Sequence, residues 1–458
     1  MIKNSKIPIM DRTLVIETIK KVGEKVKLSG WVHTKRDHGK ITFIDLRDRS
    51  GVLQIVGIDG LLCDIKPEYV VEIEGLVKKR PEKLINVKLA TGTVEVEATK
   101  LTVLSEAEEL PFDMGKSTLD LQLPTLLDYR TLTLRHEKER AIFKVQQELF
   151  NGFMKAGKDL DCTHIFAPTI SASATEGGSE LFTFDYFGSE AFMVQSPQLY
   201  KQMMVGVFER VFLFSHIYRA EPSVTTRHLV ESIQMDFEIG FIDSFDEILG
   251  YLEQAFATII DYAQNECKKE LTLFGVKPSK VKNKIPRVTM REAQKIILER
   301  TGVDHTKEPD LMPEDERELA SWALEKYDSD LVTVTHFPTK KRAFYSKPDP
   351  NDPEYCLSYD LIYKGLEISS GAQRVDNLEE LKKIITDRGM KLERFKMYLQ
   401  AFEYGMPPHG GFSYGLERST MKLLDLENIR QASLFPRDME RVDFRLSTKG
   451  KKVSDTKR

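Results

Sequence analysis

Arginine, histidine and carboxylate side chains crowd three short stretches of this 458-residue chain, and each stretch carries groups suited to handling a polyphosphate. The first, from Arg210 to Phe241, reads as strand, polar loop, strand. Strand spacing puts Arg219 and Glu221 on one face, while Arg227 and His228 ride the loop. A guanidinium can bridge two phosphate oxygens and stabilise charge developing at phosphorus. The second, from Tyr359 to Arg374, offers Glu367 and Ser370 as hard oxygen ligands of the kind Mg²⁺ takes beside phosphate, with Arg374 as a fixed cation nearby. Glu367 as an ordinary exposed strand residue is the plain alternative. The third, from Gly410 to Arg418, is a glycine-rich strand entering a helix. Its glycines, Gly415 among them, let a ligand lie against the backbone, and Arg418 can face the same phosphates or stack on a base. A glycine-rich turn before a helix serves packing as readily as binding.

Holding these groups takes a large body, and the composition supplies one. With 41% hydrophobic and 30% charged residues, 27 Gly and 19 Pro, the chain is globular and not collagen-like, disordered or coiled-coil. No apolar run nears the roughly 18 residues of a membrane helix, and the first residues lack the apolar stretch of a secretion signal, so the expected location is the cytoplasm. Cys63, Cys162, Cys267 and Cys356 lie far apart with no CxxC pair, which argues against a disulfide framework or a zinc site.

Ahead of the chemistry, alternating segments near 25–32, 40–46, 51–56, 69–75 and 92–98 read as five short strands. They suit an OB-type barrel over residues 1–105, a fold whose face holds single-stranded nucleic acid. Charge points the same way: this segment has 19 Lys/Arg against 14 Asp/Glu, in a chain of net charge −4. On such a face Phe43 would stack on a base, Gln54 read a base edge, and Arg36 and Arg47 meet phosphates. Phe43 as a filler of the barrel core is equally open.

Residues 106–135, with Pro111 and Pro124, read as a linker. An amphipathic helix over 137–157 follows, with Ile142, Val145, Leu149 and Phe153 at helical spacing. Then come a strand near 163–168 and mixed strands and helices, the helices near 246–270, 290–301, 313–327 and 378–404. This α+β body spans 136–446, and the polar, basic residues 447–458 read as a disordered tail.

In order and in their surroundings, the three chemical stretches resemble the motifs of the class II aminoacyl-tRNA synthetases. Pro168 after the long helix is similar to the first motif, Arg219 and Glu221 to the second, and Glu417 with Arg418 to the third. The stretches 175–181, 195–202, 367–374 and 428–437 resemble the aspartyl members, so the likeness covers nearly the whole chain. About 170 residues separate Glu238 from Gly410, too few for the extra domain of the bacterial type, which leaves the archaeal and eukaryotic type. The resemblance implies an antiparallel catalytic sheet flanked by helices, a barrel on the anticodon, a homodimer joined through the first motif, and Mg²⁺ alongside ATP and L-aspartate.

Carried over position by position, it implies that Arg219 holds the α-phosphate and the substrate carboxylate, and that Glu221 contacts the adenine amino group. Arg227, His228 and Arg418 would take the outer phosphates; Glu367, Ser370 and Asp360 would take Mg²⁺. Lys201 and Arg374 match receptors for the side-chain carboxylate of aspartate, Glu176 and Asp236 those for its α-amino group, with Gln198 and His409 as nearby contacts. An amide in place of that carboxylate would leave two buried cations undercompensated, at a cost on the order of several kcal/mol. On the barrel, Phe43 and Gln54 match anticodon-contacting positions. His33 and Pro81 stand where forms charging only tRNA(Asp) differ from relaxed forms that also charge tRNA(Asn), and they lean toward the relaxed ones.

Two positions depart from the pattern. Ser413 replaces a motif glycine, and Ser232 replaces an aromatic that sandwiches adenine; Phe237 points to the other strand face, so stacking would rest on Arg418 alone. The rival identities are an asparaginyl enzyme, which shares barrel and motifs but has no need of Lys201, and an asparagine-synthetase-like relative, which lacks a barrel.

Overall fold

The structure, a computed structural model, describes residues 12–172, 181–221, 225–281 and 285–446. Glu176 and the expected tail lie outside the described residues. The chain divides into two compact units, residues 1–121 and 122–458.

In the first unit, β1 (Lys25–His38), β2 (Ile41–Asp48), β3 (Gly51–Ile58), β4 (Val70–Lys79) and β5 (Val94–Ser105) close a barrel in the order β1-β2-β3-β5-β4. Side chains alternate inward and outward along each strand. Leu28, Ile44, Leu46, Leu53, Ile55 and Ile73 fill the interior. The register sets Phe43 opposite Arg36 and Val56, and Gln54 opposite Asp45, so these alternate with the inward set and face outward.

The second unit opens with two short helices, α1 (Leu123–Asp128) and α2 (Arg130–Thr133). Residues 122–135 are therefore part of the body and not the expected linker. Arg130 explains why: it is buried, donates to the carbonyls of Gln431, Ser433 and Leu434, and pairs with Glu139 at 3.2 Å. Mixed composition concealed a packed segment in which Arg130 satisfies three backbone acceptors.

The central sheet holds β6 (Thr163–His164), β10 (Arg210–Tyr218), β11 (Glu231–Gly240), β12 (Arg287–Thr289), β13 (Leu331–Thr335), β16 (Ser358–Tyr363), β17 (Leu366–Gln373) and β18 (His409–Gly415). Their order is β12-β13-β16-β17-β18-β11-β10-β6, antiparallel except for the outermost pair at each edge. Two small sheets accompany it: β7 (Ile170–Ser171), β8 (Thr183–Tyr186) and β9 (Ser189–Met193), and the hairpin of β14 (Pro348–Asp349) and β15 (Asp352–Cys356).

One face of the central sheet packs on α3 (Glu137–Asp159) and α5 (Phe245–Glu266), the latter continued after Cys267 by α6 (Lys268–Phe274). Ile142, Val145, Leu149 and Phe153 of α3 meet Phe212, Phe237 and Phe412 there, each buried side chain contributing about 1.5–3 kcal/mol. Phe237 stacks among these rings, 5.2 Å from Phe153 and 4.9 Å from Phe412, and so faces away from any ligand on the other side.

The opposite face is walled at both ends. α4 (Gln198–Phe208) covers β10 through Val205 against Val211 and Leu213, and α7 (Met290–Thr301) and α8 (Pro313–Tyr327) cover the β13–β16 end through Leu319 and Ala323 against Val332 and Ile362. α9 (Leu378–Asp387) and α10 (Lys396–Glu403), broken at Gly389 where the sequence suggests one helix, pack with Leu199 and Phe344. α11 (Leu416–Leu423) follows β18 directly. Between the walls lies a strip over β11, β18 and β17 that carries polar residues.

Arg130→Ala should lower stability by about 3–5 kcal/mol in urea unfolding, since it strands a buried carboxylate and three carbonyls; an unchanged midpoint would return the segment to linker status.

Candidate active site

Alternation along β11 puts Gln234, Asp236 and Glu238 on the open strip. Lys201 and Gln198, three residues apart in the first turn of α4, reach down beside them. Arg374, just past β17, arrives from the other side. Lys201 Nζ donates to Asp236 Oδ1 at 2.8 Å and lies 3.4 Å from Glu238 Oε2. Arg374 donates from Nε to Glu238 Oε1 at 2.8 Å, and from Nη2 to Glu238 Oε2 at 3.2 Å and Gln198 Oε1 at 3.1 Å. Gln198 Nε2 gives Glu238 Oε2 a further bond at 3.3 Å. All five residues are at most 3% exposed, so these charges interact with little screening. Burial raises the Asp236 carboxyl against the pull of Lys201; it opposes ionisation of Glu238 too, but Arg374 and Lys201 outweigh it and hold that group low.

Gly411 makes the cluster possible. A Cβ there would fall 2.1 Å from Glu238 Oε2, so only glycine leaves room for the carboxylate across β18. His409 sits one step further back. Tyr398 donates to Gln202 Oε1 at 3.0 Å, which turns Gln202 Nε2 toward His409 Nε2 at 2.9 Å, while His409 Nδ1 faces the Pro407 carbonyl at 2.9 Å. This network fixes a neutral ring protonated on Nδ1, and burial lowers its pKa in the same sense.

Across four neighbouring strands, Asp236, Ser413, Ser370 and Asp360 are successive register partners. Asp236 Oδ2, Ser413 Oγ, Asp360 Oδ1 and Gln234 Oε1 are buried with no hydrogen-bond partner. Each such atom costs about 1–3 kcal/mol if left so. Their alignment along the strip marks where a polar ligand or water completes them.

Next to this line lies a cavity bordered by Arg219, Glu221, Arg227, His228, Glu367, Ser370, Gly415 and Arg418. Ser232 and Ser413 border it too, and among the described residues no Phe, Tyr or Trp does. β10 ends at Tyr218, so Arg219 and Glu221 stand in the loop beyond it and not on the strand; they pair at 3.8 Å. The Arg219 side chain is 43% exposed, open to a ligand. A register shift at Leu361/Ile362 lets Glu367 and Ser370 both border the cavity despite their odd spacing. Arg418 Nη1 donates to Glu367 Oε2 at 3.2 Å and to its carbonyl at 2.9 Å. Burial opposes the Glu367 charge, yet Arg418 and Arg342 hold it below the usual range. Burial, Arg418 and Arg227 together lower His228, keeping it neutral.

Two expected phosphate or metal groups are already engaged. Arg227 is held by Glu316 of α8 and does not stand free for outer phosphates. Asp360 pairs with Arg342 at 2.6 Å, and burial pushes its carboxyl up to about 7. Among the described residues no three His, Cys, Asp or Glu side chains come together as a metal cage. A cation would therefore rest on Glu367 and Ser370, with phosphate and water oxygens completing its sphere, which is the pattern Mg²⁺ takes. These two residues fit it, with the unpartnered Asp360 Oδ1 beside them.

The barrel carries a separate cluster. Phe43 lies outside the barrel core, edge-on to His38 at 5.7 Å. Gln54 donates to Glu95 Oε2 at 2.8 Å and accepts from Arg36 at 3.3 Å, so its amide is held in one orientation. Arg47, expected to meet phosphate, is instead buried in an ion pair with Glu68 at 2.9 Å, with His33 against it at 3.2 Å. Pro81 opens a short turn in the β4–β5 connection.

A family model described as tRNA synthetases class II (D, K and N) matches residues 122–439, and one described as OB-fold nucleic acid binding domain matches 26–104. The chain belongs to the class II tRNA synthetases. It is 43% identical to the aspartate–tRNA(Asp/Asn) ligase of Thermus thermophilus, covering 94% of this chain and 99% of that one. It is 38% identical to the aspartate–tRNA(Asp) ligase of Pyrococcus abyssi, covering 92% and 96%. A crystal structure of asparaginyl-tRNA synthetase from Pyrococcus horikoshii, complexed with asparaginyl-adenylate, superposes with a TM-score of 0.84 at 32% identity, covering 92% of this chain and 97% of that one.

In this class II synthetase, sequence reasoning singled out Lys201, Arg374, Asp236 and Gln198 but passed over the residue that joins them, Glu238. Its signal was present: two positions from Asp236 on one strand, it must share that face. The expectation of two cations left waiting for a negative ligand also needs correcting, because Asp236 and Glu238 already balance them. Gln202 ended the 195–202 stretch without being singled out, while Glu316 and Glu95 carried no motif and emerge only from the fold.

Glu238→Gln should lower stability by about 3–5 kcal/mol in urea, because Arg374 and Lys201 would lose their shared counter-ion in a dry site. A loss under about 1 kcal/mol would mean that the cluster is wetter than its burial indicates.

Proposed function

We propose that this class II synthetase is an aspartate–tRNA ligase. It joins L-aspartate to ATP as aspartyl-adenylate, then passes the aspartyl group to the 3′-hydroxyl of the terminal adenosine of tRNA(Asp), with tRNA(Asn) as a second acceptor. One observation carries the choice of amino acid: the buried end of the site gathers Lys201, Arg374 and Gln198 as donors around Glu238. A carboxylate has about four lone-pair sites. Arg374 Nε meets one of the Glu238 oxygens, while Arg374 Nη2, Gln198 Nε2 and the Lys201 ammonium crowd the other. The side-chain end of the pocket thus offers donors, and a carboxylate accepts from donors at both its oxygens whereas an amide nitrogen cannot. Asp236 Oδ2, buried and unpartnered, suits the substrate ammonium at the other end. The names of the Thermus and Pyrococcus relatives support the same reading.

For activation, the substrate's own carboxylate oxygen attacks the α-phosphorus and the bond to the bridging oxygen breaks, releasing pyrophosphate. No protein nucleophile takes part, so positioning and charge stabilisation supply the rate. Arg219, exposed at the mouth, meets the α-phosphate and the attacking carboxylate; Glu221 receives the adenine amino group. Arg418 stacks on the base from one side, since serine stands at 232 and Phe237 is committed to the core. Glu367 and Ser370 would hold Mg²⁺, which when bound would supply positive charge against the phosphates. Gly415 and Ser413 floor the site, and His409 and Gln202 brace the wall behind the amino acid.

The barrel reads the anticodon through Phe43 stacking and the oriented Gln54 amide, with Arg36 at the backbone; His33 and Pro81 favour the relaxed tRNA range. The enzyme works as a cytoplasmic homodimer through the segment around Phe166 and Pro168, where the Phe166 ring is 83% exposed. No helix of the described residues is long and apolar enough to cross a membrane.

Lys201→Met should reduce aspartate-dependent pyrophosphate exchange at least about 100-fold, the loss expected for a buried charged contact, while leaving ATP binding intact; normal exchange would refute the assignment. Phe43→Ala should raise the KM for tRNA(Asp) about 10-fold and spare adenylate formation, consistent with the loss of one stacking contact. Charging purified tRNA(Asp) and tRNA(Asn) side by side tests the acceptor range, and failure with tRNA(Asn) would restrict it to the first.

A further inference from the structure

Glu316 has no role in the activation chemistry, yet it touches both sides of the phosphate cavity. It projects from α8 and is 5% exposed. Its Oε1 accepts from Arg227 Nη2, and its Oε2 accepts from the Glu367 backbone N–H at 2.8 Å. One carboxylate therefore ties the loop cation to the strand residue that carries the metal-side oxygen. Arg227 borders the cavity, and its Nε is buried without a hydrogen-bond partner, so its guanidinium is only partly satisfied where it stands.

A guanidinium fork binds carboxylate and phosphate oxygens in the same geometry. The Nη2 edge that now holds Glu316 is an edge that a nucleotide phosphate would use, and it cannot give both a full bond. We propose that Glu316 is a positioning residue: a resident counter-ion that parks Arg227 while the cavity lacks nucleotide, yields it to the outer phosphates of ATP, and reclaims it as pyrophosphate leaves. This rests on the reading of the chain as an ATP-using ligase. The second bond, to the Glu367 N–H, keeps Glu316 in place while Arg227 moves, so the parking position survives each turnover. Without a competitor, Arg227 would keep its grip on pyrophosphate after the chemistry. With it, affinity is given up for both ATP and pyrophosphate, and release is faster.

E316Q removes the charge and keeps an acceptor for the Glu367 N–H. Calorimetric titration of the full-length protein with Mg-ATP, and separately with Mg-pyrophosphate, both without amino acid, should show binding about 3- to 10-fold tighter than wild type, as expected for one partly screened charge. The kcat of aspartate-dependent exchange should fall as release slows, splitting it from the KM for ATP. In an Arg227→Ala background E316Q should change neither affinity. Weaker or unchanged binding in E316Q, or the same shift in the Arg227→Ala background, would overturn the proposal. Aspartate-dependent exchange by the wild type is the control: its absence alongside intact Mg-ATP binding would remove the ligase reading and leave the affinity comparison decisive for Glu316.

Discussion

Glu238 lies where water does not reach, with four donors around two oxygens, and much of the amino-acid end follows from keeping that charge tolerable. A buried carboxylate persists only when cations and hydrogen bonds surround it. Arg374 and Lys201 supply the cations, each anchored in a different element, and Gln198 supplies the neutral bond. Gly411 then has to be glycine, since any Cβ would strike the carboxylate. Replacing a single member strands the others, so the group persists as a whole or not at all.

The phosphate end obeys different rules. Its charges are partly exposed and several sit in loops. Arg418 rests on Glu367 and Arg227 on Glu316. On the proposal made for Glu316, nucleotide charge replaces that carboxylate at Arg227, which suits a site that releases a highly charged product. Rigid at the amino-acid end and exchangeable at the nucleotide end, the strip combines selectivity with turnover on one sheet.

Much of this was legible in the chain. Alternation found all five barrel strands, and helical spacing found α3, because both patterns are set by local burial. The motifs located the β10–β11 hairpin, β17 and β18 with their arginines. Where reading failed, long-range contacts had decided the outcome. Residues 122–135 look like linker until Arg130 is seen capping carbonyls some 300 positions away. Arg47 looks like a phosphate contact until the barrel closes and Glu68 arrives beside it. Glu316 belongs to a helix legible in the chain, but only the fold lays that helix against the cavity. Charges carry no label for inward or outward, so pairing partners had to come from topology.

The unpartnered atoms along the strip have a bearing on the lifetime of the protein as well. Asp236 Oδ2, Ser413 Oγ and Asp360 Oδ1 carry a desolvation cost that a polar ligand bound there would relieve. Any ligand that binds only the folded form shifts the unfolding equilibrium by mass action, about 2.7 kcal/mol at one hundred times its dissociation constant. Resistance to proteolysis and heat should therefore track the supply of amino acid and nucleotide, making the abundance of this protein a readout of nutrient state with no dedicated sensor.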